Sequence, residues 1–231
     1  MTEGRHPVSP SPMRRAIARR MSESKASAPH FYLSTDIEMD ALLTLADRRN
    51  DGRPRETRVT VTAFLVRALA LTLAEHPAFN AAWNGDVVES VDAINVGVAI
   101  ALDDGLIAPA LLDCRERGVE DLSRGLADLV ARTRAGRLRA PEISEGTFTL
   151  SNLGMFDVTQ FTAIITPPQV AILATARTAE RAVVRDGQLA IRRLMTATLS
   201  SDHRVVDGVG AARFLGTLKG LLEAPEAWAR R

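Results

Sequence analysis

Cysteine is nearly missing from this sequence: Cys114 is the sole thiol in 231 residues. One thiol can form neither an internal disulfide nor a cysteine-rich zinc site, so a reducing compartment is the simplest reading. Cys114 follows the apolar pair Leu111–Leu112, and a buried bystander is expected there rather than a nucleophile. Aromatic residues make up only 4%, so the core must be aliphatic. Charge of one sign is also lacking. A net charge of +1 argues against a nucleic-acid partner, which calls for a basic excess. Lysine is confined to Lys25 and Lys219.

Other absences narrow the field further. The longest apolar run, Val61 to Ala74, is interrupted by Arg67 and is shorter than a bilayer span. Arg14–Arg15 is followed by Ala16–Ile17–Ala18 and then at once by Arg19–Arg20, so no export signal develops. The expectation is a cytoplasmic protein with no membrane partner. No two histidines stand three or four apart, which argues against a metal site. There is no phosphate-binding P-loop and no Gly-x-Ser-x-Gly elbow.

What remains is an ordinary globular mix, 46% hydrophobic and 25% charged, in a chain long enough to bury a core. Residues 1–12 hold three prolines, two serines and a glycine and read as a flexible linker; residues 13–231 read as one domain. Ser11–Pro12 predicts the start of a basic helix running to about Lys25. Strands are expected at Phe31–Glu38, Ile94–Leu102, Leu106–Asp113, Thr147–Ser151, Gln169–Ala176 and Arg181–Ser200, the last with an Asp186–Gly187 hairpin turn. Helices are expected at Asp40–Arg49, Thr60–His76, from Val119 to near Gly136, and Gly208–Leu222. The order does not alternate strictly. It predicts an α/β chain of the two-layer α+β kind, a mixed β-sheet flanked by helices, rather than a doubly wound parallel sheet.

Two places could carry chemistry. Of four histidines, His6 lies in the tail, His76 at a helix end, and His30 opens a strand, where structural use is expected. His203 stands where a long strand gives way to a helix, flanked by Asp202, Arg204 and Asp207. A histidine at such a junction can project into a cleft, with the charges setting its orientation, although a structural histidine fits the local spacing equally well. The second place is Ser151–Asn152 at the end of a strand, followed by Leu153–Gly154. It reads either as turn chemistry or as a hydroxyl aimed at developing negative charge.

The segment DHRVVDG, Asp202 to Gly208, resembles the signature of dihydrolipoamide acyltransferases, the core subunits of 2-oxo acid dehydrogenase complexes. MRRAIARRMSESKASAPHFYLSTDIEMDALL (Met13–Leu43), INVGVAIALDDGLIAPAL (Ile94–Leu111), GTFTLSNLGMF (Gly146–Phe156) and TPPQVAILA (Thr166–Ala174) resemble the same family, in its order. The resemblance implies a chloramphenicol-acetyltransferase-like fold, assembled as a homotrimer, with larger cubic or dodecahedral cores built from trimers. It implies active sites between subunits, reached by coenzyme A and by a lipoyl arm. His203 then matches the catalytic base, Ser151 the oxyanion-stabilising hydroxyl, and Asp207 the motif's second acid, expected to hold the site's shape by pairing with an arginine such as Arg14. The residues that bind coenzyme A are not assigned. Asp157 departs from the family's usual glycine.

Neither lysine suits lipoylation, so the lipoyl group is expected on another domain or chain. Expected partners are a lipoyl domain and the 2-oxo acid decarboxylase and dihydrolipoamide dehydrogenase subunits. Acetyl is the expected acyl group. Two rival readings are a stand-alone coenzyme A-dependent acyltransferase acting on a small acceptor, and a catalytically dead assembly scaffold.

Overall fold

Side-chain caps start three of the helices. The Ser11, Thr60 and Asp207 side chains accept hydrogen bonds from the amides of Arg14, Ala63 and Gly210, each satisfying a donor that a helix start leaves free. The structure is a computed structural model that describes His6 and residues 8–229. Half of the linker expected over residues 1–12, residues 1–5 and 7, therefore lies outside the described residues. The helices are α1 (Pro12–Ser27), α2 (Asp40–Asn50), α3 (Val61–Glu75), α4 (Val119–Arg134), α5 (Ala140–Ser144) and α6 (Gly208–Glu223).

The strands are β1 (His30–Glu38), β2 (Ala81–Asn84), β3 (Val87–Ser90), β4 (Val96–Val98), β5 (Ile100–Leu102), β6 (Gly105–Ile107), β7 (Ala110–Leu111), β8 (Phe148–Asn152), β9 (Ala171–Arg185) and β10 (Gln188–Asp202). Six form the main sheet in the order β1-β10-β9-β8-β4-β7. β8 runs parallel to both β4 and β9, and the other pairs are antiparallel. β2–β3 and β5–β6 are separate two-stranded ribbons. The sheet is mixed and flanked by helices, as the element order predicts.

Alternation along the strands separates two faces. Leu150, Leu173, Leu199 and Leu33 are aligned across β8, β9, β10 and β1, and the first three are fully buried. This apolar row faces the core shared with α3 and α6, where Phe214 meets Phe79 with ring centres 4.6 Å apart. The opposite row in the same strands is Ser151, Ala174, Thr198 and Ser34. The segment after β8 crosses this polar side, where the Gln160 amide donates to Ser34 Oγ at 2.7 Å.

Some expected strands are divided differently. The stretch 94–102 splits at Ala99, because Val96–Val98 joins the main sheet while Ile100–Leu102 pairs with β6. The stretch 106–113 splits at Ala108–Pro109, and proline has no N–H to continue a ladder. Arg181–Arg185 belongs to the same uninterrupted strand as Ala171–Ala176. The turn behind it is as expected: Asp186 and Gly187 both have positive φ, at 50° and 78°, which a two-residue hairpin of this hand needs. β2, β3 and α5 were not anticipated.

One apolar stretch is longer than the sequence suggests. Counted from the short 3-10 turn at Arg55–Thr57, the stretch to Glu75 is 21 residues, enough by length and composition to cross a bilayer, although residues 58–60 are not helical and α3 itself is 15 residues. In the fold it is the central core helix, with ten of the 15 residues of α3 buried, among them Phe64, Leu65 and Leu69. Cys114 is buried as expected, and burial pushes its thiol up to about 11.

Candidate active site

Ser151 is the penultimate residue of β8 and points from the polar side of the sheet into a cavity of about 620 Å³. α1, the β6–β7 link and residues 163–168 wall this cavity. Its lining is mostly apolar, with Met13, Ile17, Leu106 and Ile164 prominent. Arg14 and Arg20 are the only charged side chains among the lining residues. The loop after Ser151 is shaped locally: Asn152 donates to Thr62 Oγ1 at 3.1 Å and accepts from the Gly154 amide at 2.8 Å. Asp157 pairs with Arg177, and its φ is not positive, so it takes glycine's usual place without backbone strain.

His203 sits just past β10, and its ring is exposed. Its backbone amide donates to Pro29 O at 3.1 Å, and its ring rests on Phe31 with centroids 4.6 Å apart. The residues on either side fix this turn. Asp202 is 2% exposed and accepts from the Arg204 guanidinium at 2.6 and 3.0 Å and from the Arg204 backbone amide at 3.0 Å. These hydrogen bonds favour the charged guanidinium and raise its pKa further. The guanidinium carbon lies 4.5 Å from the Trp83 ring centre. The sequence flagged Asp202 and Arg204 as neighbours of His203, but nothing local could have pointed to Trp83 in a distant hairpin.

The chain does not bring Ser151 and His203 together. Ser151 aligns with Ala174 and then Thr198, so His203 lies two strands across and five residues further along. At ordinary strand spacings this is roughly 19 Å. Phe31, against which His203 packs, shares the apolar face with Leu33, whereas Ser151 is on the opposite face. Asp207 is accounted for locally as the cap of α6, accepting from Gly210 N–H at 2.7 Å. Among the described residues no ion pair joins it to Arg14 within the chain, although Arg14 lines the Ser151 cavity. Among the same residues, no cluster of three or more histidine, cysteine or acidic side chains is placed to hold a metal.

A model of the family described as 2-oxoacid dehydrogenases acyltransferase (catalytic domain) matches residues 3–230. The chain belongs to this acyltransferase family. A curated relative is the dihydrolipoyllysine-residue acetyltransferase component of the pyruvate dehydrogenase complex of Zymomonas mobilis. It is 41% identical over 216 residues, covering 93% of this chain and 49% of the relative. The chain spans about half the length of the curated relatives it matches.

Solved members of the acyltransferase family superpose closely. One is the dihydrolipoamide acetyltransferase of Azotobacter vinelandii, studied for the catalytic roles of one serine, one histidine and one asparagine. It has a TM-score of 0.91 at 27% identity and covers 96% of this chain and 93% of its own. The cubic core of a pyruvate dehydrogenase multienzyme complex gives a TM-score of 0.92 at 27% identity, covering 98% and 94%. Chloramphenicol acetyltransferase shares the fold, with a TM-score of 0.60 at 13% identity and coverage of 88% and 94%.

Proposed function

We propose that this chain transfers a short acyl group, acetyl by preference, between a dihydrolipoyl thiol and coenzyme A, at sites shared by two copies. The observation that carries the proposal is the separation within one chain. A serine in a deep cavity and an exposed histidine on the other face of the sheet can serve one reaction only across an interface. The spacing supports the assignment: Ser151 precedes His203 by 52 residues and Asp207 follows it by four, the same separations as the serine, histidine and asparagine studied in the Azotobacter enzyme. Asp207 is therefore an acid at the asparagine's spacing.

The chemistry follows from the groups. The incoming thiol attacks the thioester carbonyl carbon as His203 of the neighbouring copy takes its proton, because the thiolate is the effective nucleophile. A carbon–sulfur bond forms and the carbonyl electrons move to oxygen. Ser151 donates a hydrogen bond to that oxyanion, a contribution of about 3 kcal/mol. Collapse breaks the other carbon–sulfur bond, and His203 returns the proton to the departing thiolate. No covalent acyl-enzyme is required, so Cys114 plays no part.

The cavity fits the substrates in kind. Its apolar length suits an acyl thioester arm, and Arg14 and Arg20 supply the positive charge an anionic coenzyme needs. In this reading Arg14 also pairs with Asp207 of the neighbouring copy. The assembly is a trimer, with a larger cubic or dodecahedral core built from it, as the likeness to a cubic core supports. The lipoyl arm comes from a separate domain or chain. The 2-oxo acid decarboxylase and dihydrolipoamide dehydrogenase are the partners that load and reoxidise it.

Two inactive variants test the shared site. Ser151→Ala and His203→Ala are each expected to lose acetyl transfer from acetyl coenzyme A to dihydrolipoamide while still assembling. Dissociated, mixed in equal amounts and reassembled, they should regain about a quarter of the wild-type sites, those that pair an intact serine with an intact histidine. No recovery in properly mixed assemblies would refute a site built from two chains.

A further inference from the structure

His30 has both ring nitrogens engaged, and by groups that leave no freedom of tautomer. Nδ1 lies 2.9 Å from Ala28 O, and the Ile165 amide reaches Nε2 at 3.1 Å. A carbonyl only accepts and a backbone amide only donates, so the ring is neutral with its proton on Nδ1. Ile165 is 1% exposed, so its peptide has no ready recourse to water. The carbonyl of the same residue accepts from Ser24 of α1 at 2.6 Å, and Ser24 is itself fully buried. Next along, Arg20 donates to Pro167 O at 2.8 Å. The Ile165 peptide is thus held from two sides, by the start of β1 through its N–H and by α1 through its C=O.

Ile164 and Thr166, on either side of that peptide, both line the cavity into which Ser151 points. We infer that His30 is a positioning residue for this cavity: as a neutral hydrogen-bond acceptor it fixes the wall 163–168 against the sheet, and so sets the channel in which the substrate arm lies beside Ser151. The inference rests on the proposed use of the cavity for acyl transfer. An imidazole suits the task because its two nitrogens can accept from one strand-like segment while donating to the turn that opens β1. A backbone carbonyl could only accept.

The test separates holding from chemistry. In the assembled protein His30→Ala leaves the Ile165 amide without its acceptor. The apparent KM for the substrate in the cavity should rise about tenfold, with kcat at saturation within about twofold of wild type. His30→Gln, whose amide can accept from Ile165 and donate to Ala28, should recover most of the loss. Ser24→Ala, which removes the opposite clamp, should shift KM in the same direction. Calorimetric binding of coenzyme A and of dihydrolipoamide to His30→Ala reads the wall without turnover, and one of the two should weaken. Unchanged KM and unchanged binding of both ligands would overturn the inference. So would a fall in kcat with KM intact, which would put the ring in the chemistry. If Ser151→Ala and His203→Ala retained full transfer, the proposed function would fall instead, whatever the His30 variants did.

Discussion

Leu150 and Ser151 are adjacent in β8, yet they belong to two different problems. Leu150 lies in the apolar row with Leu173 and Leu199, sealed against α3 and α6. Ser151 lies in the row with Ala174, Thr198 and Ser34, where side chains are small and polar and the neighbouring space is a cavity rather than a core. The first face contains what one chain needs in order to fold. The second carries Ser151, half of the proposed reaction site, and the other proposed half, His203, projects from the far end of the sheet on the opposite side. Substitutions one residue apart should therefore separate stability from transfer.

The sharpest contrast comes from the ring itself. His203→Ala should lower acetyl transfer by about a thousandfold, within the span that general-base catalysis supplies, and leave the thermal midpoint nearly unchanged because the ring is exposed. Leu150→Ala should do the reverse, costing about 2–5 kcal/mol in denaturant unfolding because the residue is fully buried. A Leu150 variant with normal stability would break the division between the faces. Ser151→Ala should reduce transfer by about a hundredfold or more, with little loss of stability. Asp207→Ala removes the α6 cap and should cost about 1 kcal/mol, read as a small drop in midpoint. If the losses of transfer in Asp207→Ala and Arg14→Ala fail to add in the double variant, the two charges meet across the interface; additive losses exclude that pairing.

Much of this division was legible in the sequence. The 3.6-residue rhythm of Val119, Leu122, Leu126 and Leu129 and the break at Pro77 located α4 and α3 to within a residue or two, because those signals are local. The Asp186–Gly187 turn was equally plain. The split at Ala99 was not, since a strand that leaves one sheet for another keeps the same apolar alternation, whereas the split at Pro109 had a local sign in the proline's missing N–H that the expected strand 106–113 ran through. Ser151 and His203 stood out through the company of the motifs around them, but their separation within the chain depends on strand order, which no local pattern encodes. The Trp83–Arg204 contact and the hold of His30 on Ile165 also join residues far apart in sequence, and only the fold brings them together.

The smallest expected effect concerns sulfur. Cys114 should resist iodoacetamide at pH 8 in the folded protein and react once the chain is unfolded, and Cys114→Ala should keep full transfer. Burial raises this thiol from its ordinary 9.0 to about 11. The associated stability is complete below about 9, where the unfolded thiol stays protonated, and declines as the pH climbs towards 11.

Sealing that sulfur has a further chemical consequence. Thioesters exchange readily with any accessible thiolate, so a catalyst that passes acyl groups from one sulfur to another risks stranding them on its own cysteine. With Cys114 closed inside the core and protonated, these 231 residues offer no accessible thiol to compete for the acyl group. In the proposed reaction, the acyl group then passes only between the two thiols that the site brings together.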